Sequence, residues 1–344
     1  MTSTMMTKLV LAACFLLLLL NAGAHHVEAR RQPDEPRKDY MLFVFGDSFV
    51  DAGNRPRTSE KTVLSRGWFY PYGMSDSAHS NRATGRVSNG MVQSDILAKI
   101  LGGDESPPPY RLQRSNEAEV DPAGVNFAVG GSGVFDGEAA SLRRQVDQLA
   151  SLVNNGIVER KDLEESVALV GVSTGHDYNN RITQDSSSNE MRAWSGQVTD
   201  EIAAAVRRLQ DLGVSKVLVN LLPPLGCSPW QSVASNYNHC DSHTNMLANI
   251  HNTALRQKLG SSQDVLLLDL YSIFTNNVQP NIGPCCNNPD PNGYCGQEDS
   301  SGRAQYTVCA NPDQVFFWDF RVITYPVPIS GRMGERHGTT AKTN

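Results

Sequence analysis

Five short apolar runs punctuate the chain: Met41–Phe45, Gly124–Phe127, Ser166–Val172, Lys216–Leu221 and Asp264–Leu268. Most are continuous in Val and Leu rather than alternating, the pattern of strands buried on both faces. Between them the period changes to that of a helix. Leu142, Val146, Leu149 and Leu152 mark one helical face. Asp200-Glu201 opens a second helical stretch with Ile202, Val206 and Leu209 inward, and Gly213 is its stop signal. A third runs from Asp241 to Leu259 and ends at Gly260. Strands alternating with helices predict an α/β fold, a three-layer α/β/α sandwich around a mostly parallel five-stranded sheet. No internal repeat is visible, and Cys285 to Cys309 reads as a long, loop-like, cysteine-rich stretch.

The two ends depart from this alternation. Lys8, the apolar run Leu9 to Leu20 and the small residues Ala22-Gly23-Ala24 have the layout of a secretory signal over 1–24. Val27-Glu28-Ala29 offers a second cleavage site. An apolar run of about twelve residues is too short to span a bilayer, so no stable membrane anchor is expected. Residues 25–38 are charged and proline-bearing, a disordered lead-in. After Phe316-Phe317-Trp318-Asp319 the composition changes again, and 326–344 form an atypical polar tail.

Composition adjusts this picture modestly. Over 344 residues the chain is 40 % hydrophobic and 19 % charged, ordinary globular values. The net charge of −6 and the lack of a basic run argue against nucleic acid as partner. Once the signal and its Cys14 are removed, Cys227, Cys240, Cys285, Cys286, Cys295 and Cys309 remain. An even set in an exported chain predicts disulfides. Six cysteines allow fifteen pairings, and the sequence does not choose among them. A zinc site is the alternative, but no C-x2-C pair is present. His239, His243 and His251 also lack the i, i+4 spacing of a helical metal pair and read as structural polar groups.

The candidate chemistry lies where the first strand ends. Gly46-Asp47-Ser48 follows Met41–Phe45 directly, at the kind of strand end where open α/β sheets place their ligand crevices. A serine hydrolase needs a hydroxyl, a base, a group orienting that base, and donors for the oxyanion. Ser48 supplies the hydroxyl, and in a tight turn its own N–H can face the oxyanion.

The segment from Phe45 to Asn54 (FGDSFVDAGN), Gly85 to Gly90 (GRVSNG), Gly124 to Gly133 (GVNFAVGGSG), Asn220 to Cys227 (NLLPPLGC) and Asn292 to Gly296 (NGYCG) occur in that order. In this the chain resembles the plant secreted GDSL esterase/lipase family within the SGNH hydrolases, from about Tyr40 to Asp319. The resemblance implies a flavodoxin-like SGNH domain, here 39–325, and ester hydrolysis through an acyl-serine at Ser48. It implies that Gly131 offers a backbone N–H to the oxyanion, with Gly130 as the other candidate. It implies no cofactor and no metal, an extracellular location (apoplast or cell wall), and a small-molecule or polymeric ester as substrate. A monomer is expected.

Two blocks depart from the family's pattern. Its Gly-x-Asn-Asp-Tyr is here Thr174-Gly175-His176-Asp177-Tyr178, so His176 stands where an oxyanion-binding Asn amide belongs. An imidazole N–H can donate to an oxyanion, which makes His176 the third candidate donor. Its closing Asp-x-x-His is matched by Asp319, the residue that would orient the base, but position 322 is Val322. A valine takes no proton. A mis-joined C-terminus, substitution by another histidine such as His337, or a secreted non-catalytic relative that holds an acyl or carbohydrate ligand each account for this. Trp68, Phe69, Tyr70 and Tyr72 are candidates to line such a ligand cleft, against the plainer reading of core or rim packing. A rival nucleophile is Ser173, in the G-x-S-x-G run Gly171 to Gly175. The residues after it, His176 to Asn180, favour a loop over the helix such an elbow opens.

Overall fold

The computed structural model describes residues 40–113, 120–179, 181–277, 282–290, 292–312 and 315–320. The expected leader (1–24), lead-in (25–38) and polar tail (326–344), with Val322 and His337, lie outside them.

The five apolar runs become β1 (Met41–Gly46), β2 (Gly124–Asn126), β3 (Ser166–Gly171), β4 (Lys216–Asn220) and β5 (Val265–Leu268). They form one sheet in the order β2-β1-β3-β4-β5, every neighbour parallel. Successive side chains of a strand point to opposite faces, which explains why a continuous apolar run suits this sheet. Phe43 and Phe45 enter one core with Ala168, Val170, Val217 and Val219. Leu42 and Val44 enter the opposite core with Val167, Leu169 and Leu218.

Helices cover both faces. Among the described residues those of eight or more residues are α1 (Gln93–Leu101), α2 (Leu142–Asn154), α3 (Ser188–Leu212), α4 (Ser242–Leu259) and α5 (Leu270–Asn277). Leu142, Val146 and Leu149 of α2, Ile202, Val206 and Leu209 of α3, and Leu247 and Leu255 of α4 close the first core. Ala98 of α1 and Leu270, Ile273 and Phe274 of α5 close the second. The result is the expected three-layer sandwich.

One helix boundary differs from expectation. α3 begins not at Asp200 but at Ser188, where Ser187 caps Glu190 N at 3.3 Å and Glu190 Oε2 accepts Ser187 N at 2.8 Å. This reciprocal S-x-x-E box satisfies two otherwise unpaired donors, and its signal was present in the sequence. The helix does stop at Gly213, which takes the left-handed φ of +115°.

The cysteine-rich stretch is also more ordered than a loop. β6 (Pro284–Asn287) pairs antiparallel with β7 (Thr307–Val308) and parallel with β8 (Phe317–Asp319) in a second, small sheet. Disulfides Cys285–Cys309 and Cys286–Cys295 tie it together, and Cys227–Cys240 closes the loop before α4. Three cysteines of this stretch pack with Tyr72, Val87 and Trp318 in a third core.

Candidate active site

The strand order reverses between β1 and β3, and at such a switch point the loops leaving the two carboxyl ends diverge and open a crevice. Ser48 lies in the loop leaving β1. The backbone just before it is fixed from α2: Gln145 Oε1 accepts Gly46 N at 2.7 Å and Gln145 Nε2 donates to Gly46 O at 2.9 Å. Val50 N and Asp51 N then donate to Asp47 O, both at 3.1 Å, which curls Ser48 into a single tight turn. Ser48 is half-buried, and among the described residues nothing hydrogen-bonds its hydroxyl.

Asp47, beside it, is buried at 3 % exposure. Its Oδ1 accepts Phe49 N at 3.1 Å, and its Oδ2 accepts both Ser173 N at 2.7 Å and Ser173 Oγ at 2.6 Å. Burial pushes the carboxyl up to about 6 despite those bonds. Ser173, the rival nucleophile, is thus the donor that ties the loop after β3 to the loop after β1. The chain after it makes one short turn, Gly175–Tyr178, rather than the helix of a nucleophile elbow.

Asp51 links this loop to the next. It is wholly buried, its Oδ1 accepts Gly53 N and Asn54 N at 2.7 Å each, and its Oδ2 accepts Gly130 N at 2.7 Å. Burial again raises the carboxyl above its ordinary range. Asn54 Nδ2 donates to Asn126 O at 2.7 Å and Ala128 O at 2.8 Å, and Asn126 Nδ2 donates to Val50 O at 2.7 Å. The Gly130–Gly131 dipeptide is held against Ser48 by these bonds: a Cβ built on Gly130 would lie 3.7 Å from Ser48 Cβ. The two glycines differ in one respect. The Gly130 N–H belongs to Asp51, whereas no described residue takes the Gly131 N–H. Gly131 also has φ +82°, a conformation that side chains rarely adopt.

The third block is brought to the same region by its carboxylate. Asp177 Oδ1 and Oδ2 accept Val134 N at 3.0 and 3.1 Å, and Oδ1 accepts Phe135 N at 3.4 Å. Thr174, where the family pattern has glycine, keeps the left-handed backbone at φ +56° while fully buried. His176 is exposed, and its Nε2 lies 3.1 Å from where a Cβ on Gly137 would be. It therefore flanks the far end of the glycine loop and hydrogen-bonds to neither Ser48 nor Gly131.

Tyr178 anchors the block from below. Its hydroxyl donates to Ser195 Oγ at 3.2 Å and lies 2.8 Å from Nδ1 of the buried His251. With the Tyr178 proton on Ser195, His251 Nδ1–H donates to Tyr178 and its Nε2, which meets no partner among the described residues, is left a bare acceptor, cheaper to bury than an orphaned N–H. Burial lowers His251 to about 3, so it is neutral. His243 Nε2 lies 2.9 Å from Ser186 O. Among the described residues no group of three or more His, Cys, Asp or Glu side chains is placed to hold a metal ion.

Asp319 ends β8 in the second sheet, at 3 % exposure. Its Oδ2 accepts Tyr72 OH at 2.6 Å and Arg66 Nε at 3.3 Å, and Arg66 Nε also reaches Tyr72 OH at 2.9 Å. Burial, reinforced by Asp319, pushes the Tyr72 hydroxyl well above its ordinary range, so it stays protonated and donates. Tyr72 is therefore a core residue and not a cleft wall. Of the other aromatics considered with it, Tyr70 is exposed, and Trp68 is half-buried with Nε1 donating to Arg55 O at 2.8 Å.

Sequence reasoning passed over Gln145, Asp51, Asn54, Arg55, Arg66 and Asn126 as site residues. Asp51 and Asn54 stood inside the first quoted segment and could have been found there. Gln145 carried no signal, being one polar residue on a helix.

The sequence profile of the GDSL-like Lipase/Acylhydrolase family matches residues 42–319. The chain is 34 % identical over 305 residues to GDSL esterase/lipase At5g03610 of Arabidopsis thaliana, covering 83 % of this chain and 82 % of that protein. It is 33 % identical to GDSL esterase/lipase At3g09930 of the same plant, covering 81 % and 82 %. A third relative, GDSL esterase/lipase At5g03600, is 32 % identical over 83 % of this chain and 89 % of its own.

Proposed function

The chain belongs to the GDSL-like lipase/acylhydrolase family and is by that membership a serine ester hydrolase, and from that premise we propose that it works through an acyl-Ser48 intermediate. Ser48 Oγ attacks the ester carbonyl. The oxyanion that forms is met by the N–H groups of Ser48 and Gly131, and His176 flanks the same loop as a further donor. Collapse expels the alcohol, and water then releases the carboxylic acid and restores Ser48. The observation that carries this reading is the arrangement at the switch point: an unengaged, half-buried hydroxyl beside a glycine pair of which Asp51 occupies only the first N–H.

The proton acceptor decides the rate. Asp319 is the residue that would orient an imidazole, but position 322 is valine. Without an imidazole the proton passes to water, and removal of the base from such a unit typically costs several orders of magnitude. We therefore propose slow turnover of small-molecule or polymeric esters. Val322 also favours a second reading, a secreted relative that binds an acyl or acetylated carbohydrate ligand without turning it over. Secretion itself is supported by the leader over 1–24 and by the three disulfides. The hydrolase unit is taken as 39–325.

A fluorophosphonate probe with peptide mapping tests the assignment. Labelling at Ser48 that disappears in Ser48→Ala, together with Ser48-dependent hydrolysis of a short-chain p-nitrophenyl ester, is the expected result. Ligand binding without Ser48-dependent turnover selects the binding relative. No labelling at Ser48 overturns both the nucleophile and the mechanism built on it.

A further inference from the structure

Arg55 follows the Asp51-to-Asn54 segment, and its side chain runs along the glycine pair. A Cβ built on Gly130 would lie 3.7 Å from Ser48 Cβ and 3.9 Å from Arg55 Cγ, so the two side chains flank the same side of Gly130. Farther out, Arg55 Nη2 would lie 2.8 Å from a Cβ on Gly131, occupying the space that a side chain there would need. The guanidinium is fixed by Nε donating to Gly130 O at 2.7 Å. Its side chain is only 16 % exposed, and its one ionic partner among the described residues is Glu138, 3.6 Å from Nη1 and itself 72 % exposed. So exposed a carboxylate offsets little of the charge. None of the four terminal N–H groups makes a hydrogen bond to a described residue. A nearly buried guanidinium with four donors unengaged is a built anion site.

Resting on the Ser48 reading above, we propose that Arg55 is a catalytic residue that donates a charge-assisted hydrogen bond to the Ser48 oxyanion from the Gly131 side. The anion that arises next to Ser48 and Gly131 is the tetrahedral intermediate, and a rigid cation there requires no reorganisation as charge develops. The placement also accounts for the unusual third block. The amide expected at position 176 is an exposed imidazole over Gly137, and Arg55 adds a donor to it from the opposite end of the loop.

An alkylboronic acid separates this idea from the reading it rests on. Ser48 Oγ adds to boron, its proton leaves to solvent, and the product is a tetrahedral boronate anion shaped like the intermediate. The expectation is that Arg55→Gln binds the boronic acid about 10- to 100-fold more weakly and lowers kcat for a neutral p-nitrophenyl ester about 100-fold with KM nearly unchanged. Arg55→Lys recovers part of both, and added ethylguanidinium partly restores Arg55→Ala, which a packing role would not allow. If Arg55→Gln is folded by circular dichroism, is labelled at Ser48 by the fluorophosphonate, and binds the boronic acid as tightly as the parent, Arg55 is not an oxyanion donor. If Arg55→Gln is unfolded, the Arg55→Lys comparison decides: boronate affinity unchanged on loss of the planar guanidinium also overturns the proposal. If the parent itself is not labelled at Ser48, the nucleophile assignment fails and takes this inference with it.

Discussion

Around Ser48 the buried carboxylates face mainly backbone N–H groups, with the Ser173 hydroxyl added at Asp47; the hydrogen bonds described at Asp319 come from side chains. Asp51 holds Gly53, Asn54 and Gly130 by their amides, Asp177 holds Val134 and Phe135, and Asp47 holds Phe49 and Ser173. Asp319 instead accepts from the Tyr72 hydroxyl and the Arg66 guanidinium. Backbone-facing carboxylates fix the path of loops, and at their partners only proline removes the N–H. A side-chain-facing carboxylate is exchangeable, since an imidazole, a phenol or a guanidinium can each take the place of the others. The nucleophile half therefore keeps its shape whatever becomes of the base, whereas the acid half depends on which side chain reaches Asp319.

The largest expected effect breaks the nucleophile half: Ser48→Ala removes the slow hydrolysis and the fluorophosphonate labelling, while Ser173→Ala retains both. Steady-state kinetics on a p-nitrophenyl ester and probe labelling read the two, and the reverse pattern would restore the nucleophile elbow. The next sharpens the acid half. Val322→His supplies an imidazole three residues past Asp319 and should raise kcat/KM about 100-fold or more, with the gain lost when Asp319→Asn is added. An unchanged rate would mean that Arg66 and Tyr72 have closed Asp319 to any imidazole.

A third comparison uses pH. The Asp47 value of about 6 lies above the ordinary 3.8, so the folded state keeps a proton that the unfolded chain has already released. Its contribution to stability is full below about pH 4 and is lost as pH rises through about 6, a fall of about 3 kcal/mol. Urea unfolding at the two pH values should show a flatter dependence in Asp47→Asn; equal slopes would remove Asp47 as the cause. Replacing Asp51 by Asn turns one acceptor oxygen into a donor facing an N–H, and is expected to cost about 2 kcal/mol with loss of boronate affinity through the freed Gly130 loop. Tyr72→Phe, the mildest change, should cost about 1 kcal/mol and leave Ser48 labelling intact. Loss of labelling there would show that the two halves are coupled.

The five strands were legible because most are continuous apolar runs, the signature of a strand buried on both faces. The place of Ser48 at a strand end was legible because its loop follows such a run. The second sheet was not, since Pro284–Asn287 and Thr307–Val308 are short and lie among cysteines and turn residues. The start of α3 was missed in favour of the acidic pair at Asp200, although Ser187 and Glu190 carried the capping pattern.

Local pattern by itself determined the five strands of the main sheet, the inward faces of three helices, the place of Ser48 in the loop after β1, and the absence of a histidine at position 322. Only the folded chain decided the disulfide partners, the commitment of the Gly130 N–H to Asp51 and of Ser173 to Asp47, and the contacts of Asp319. Each of these joins residues far apart in sequence: 79 positions separate Gly130 from Asp51, 126 separate Ser173 from Asp47, and 247 separate Asp319 from Tyr72. A period of two or of 3.6 records which face of an element is buried, but not which loops the strand order brings side by side.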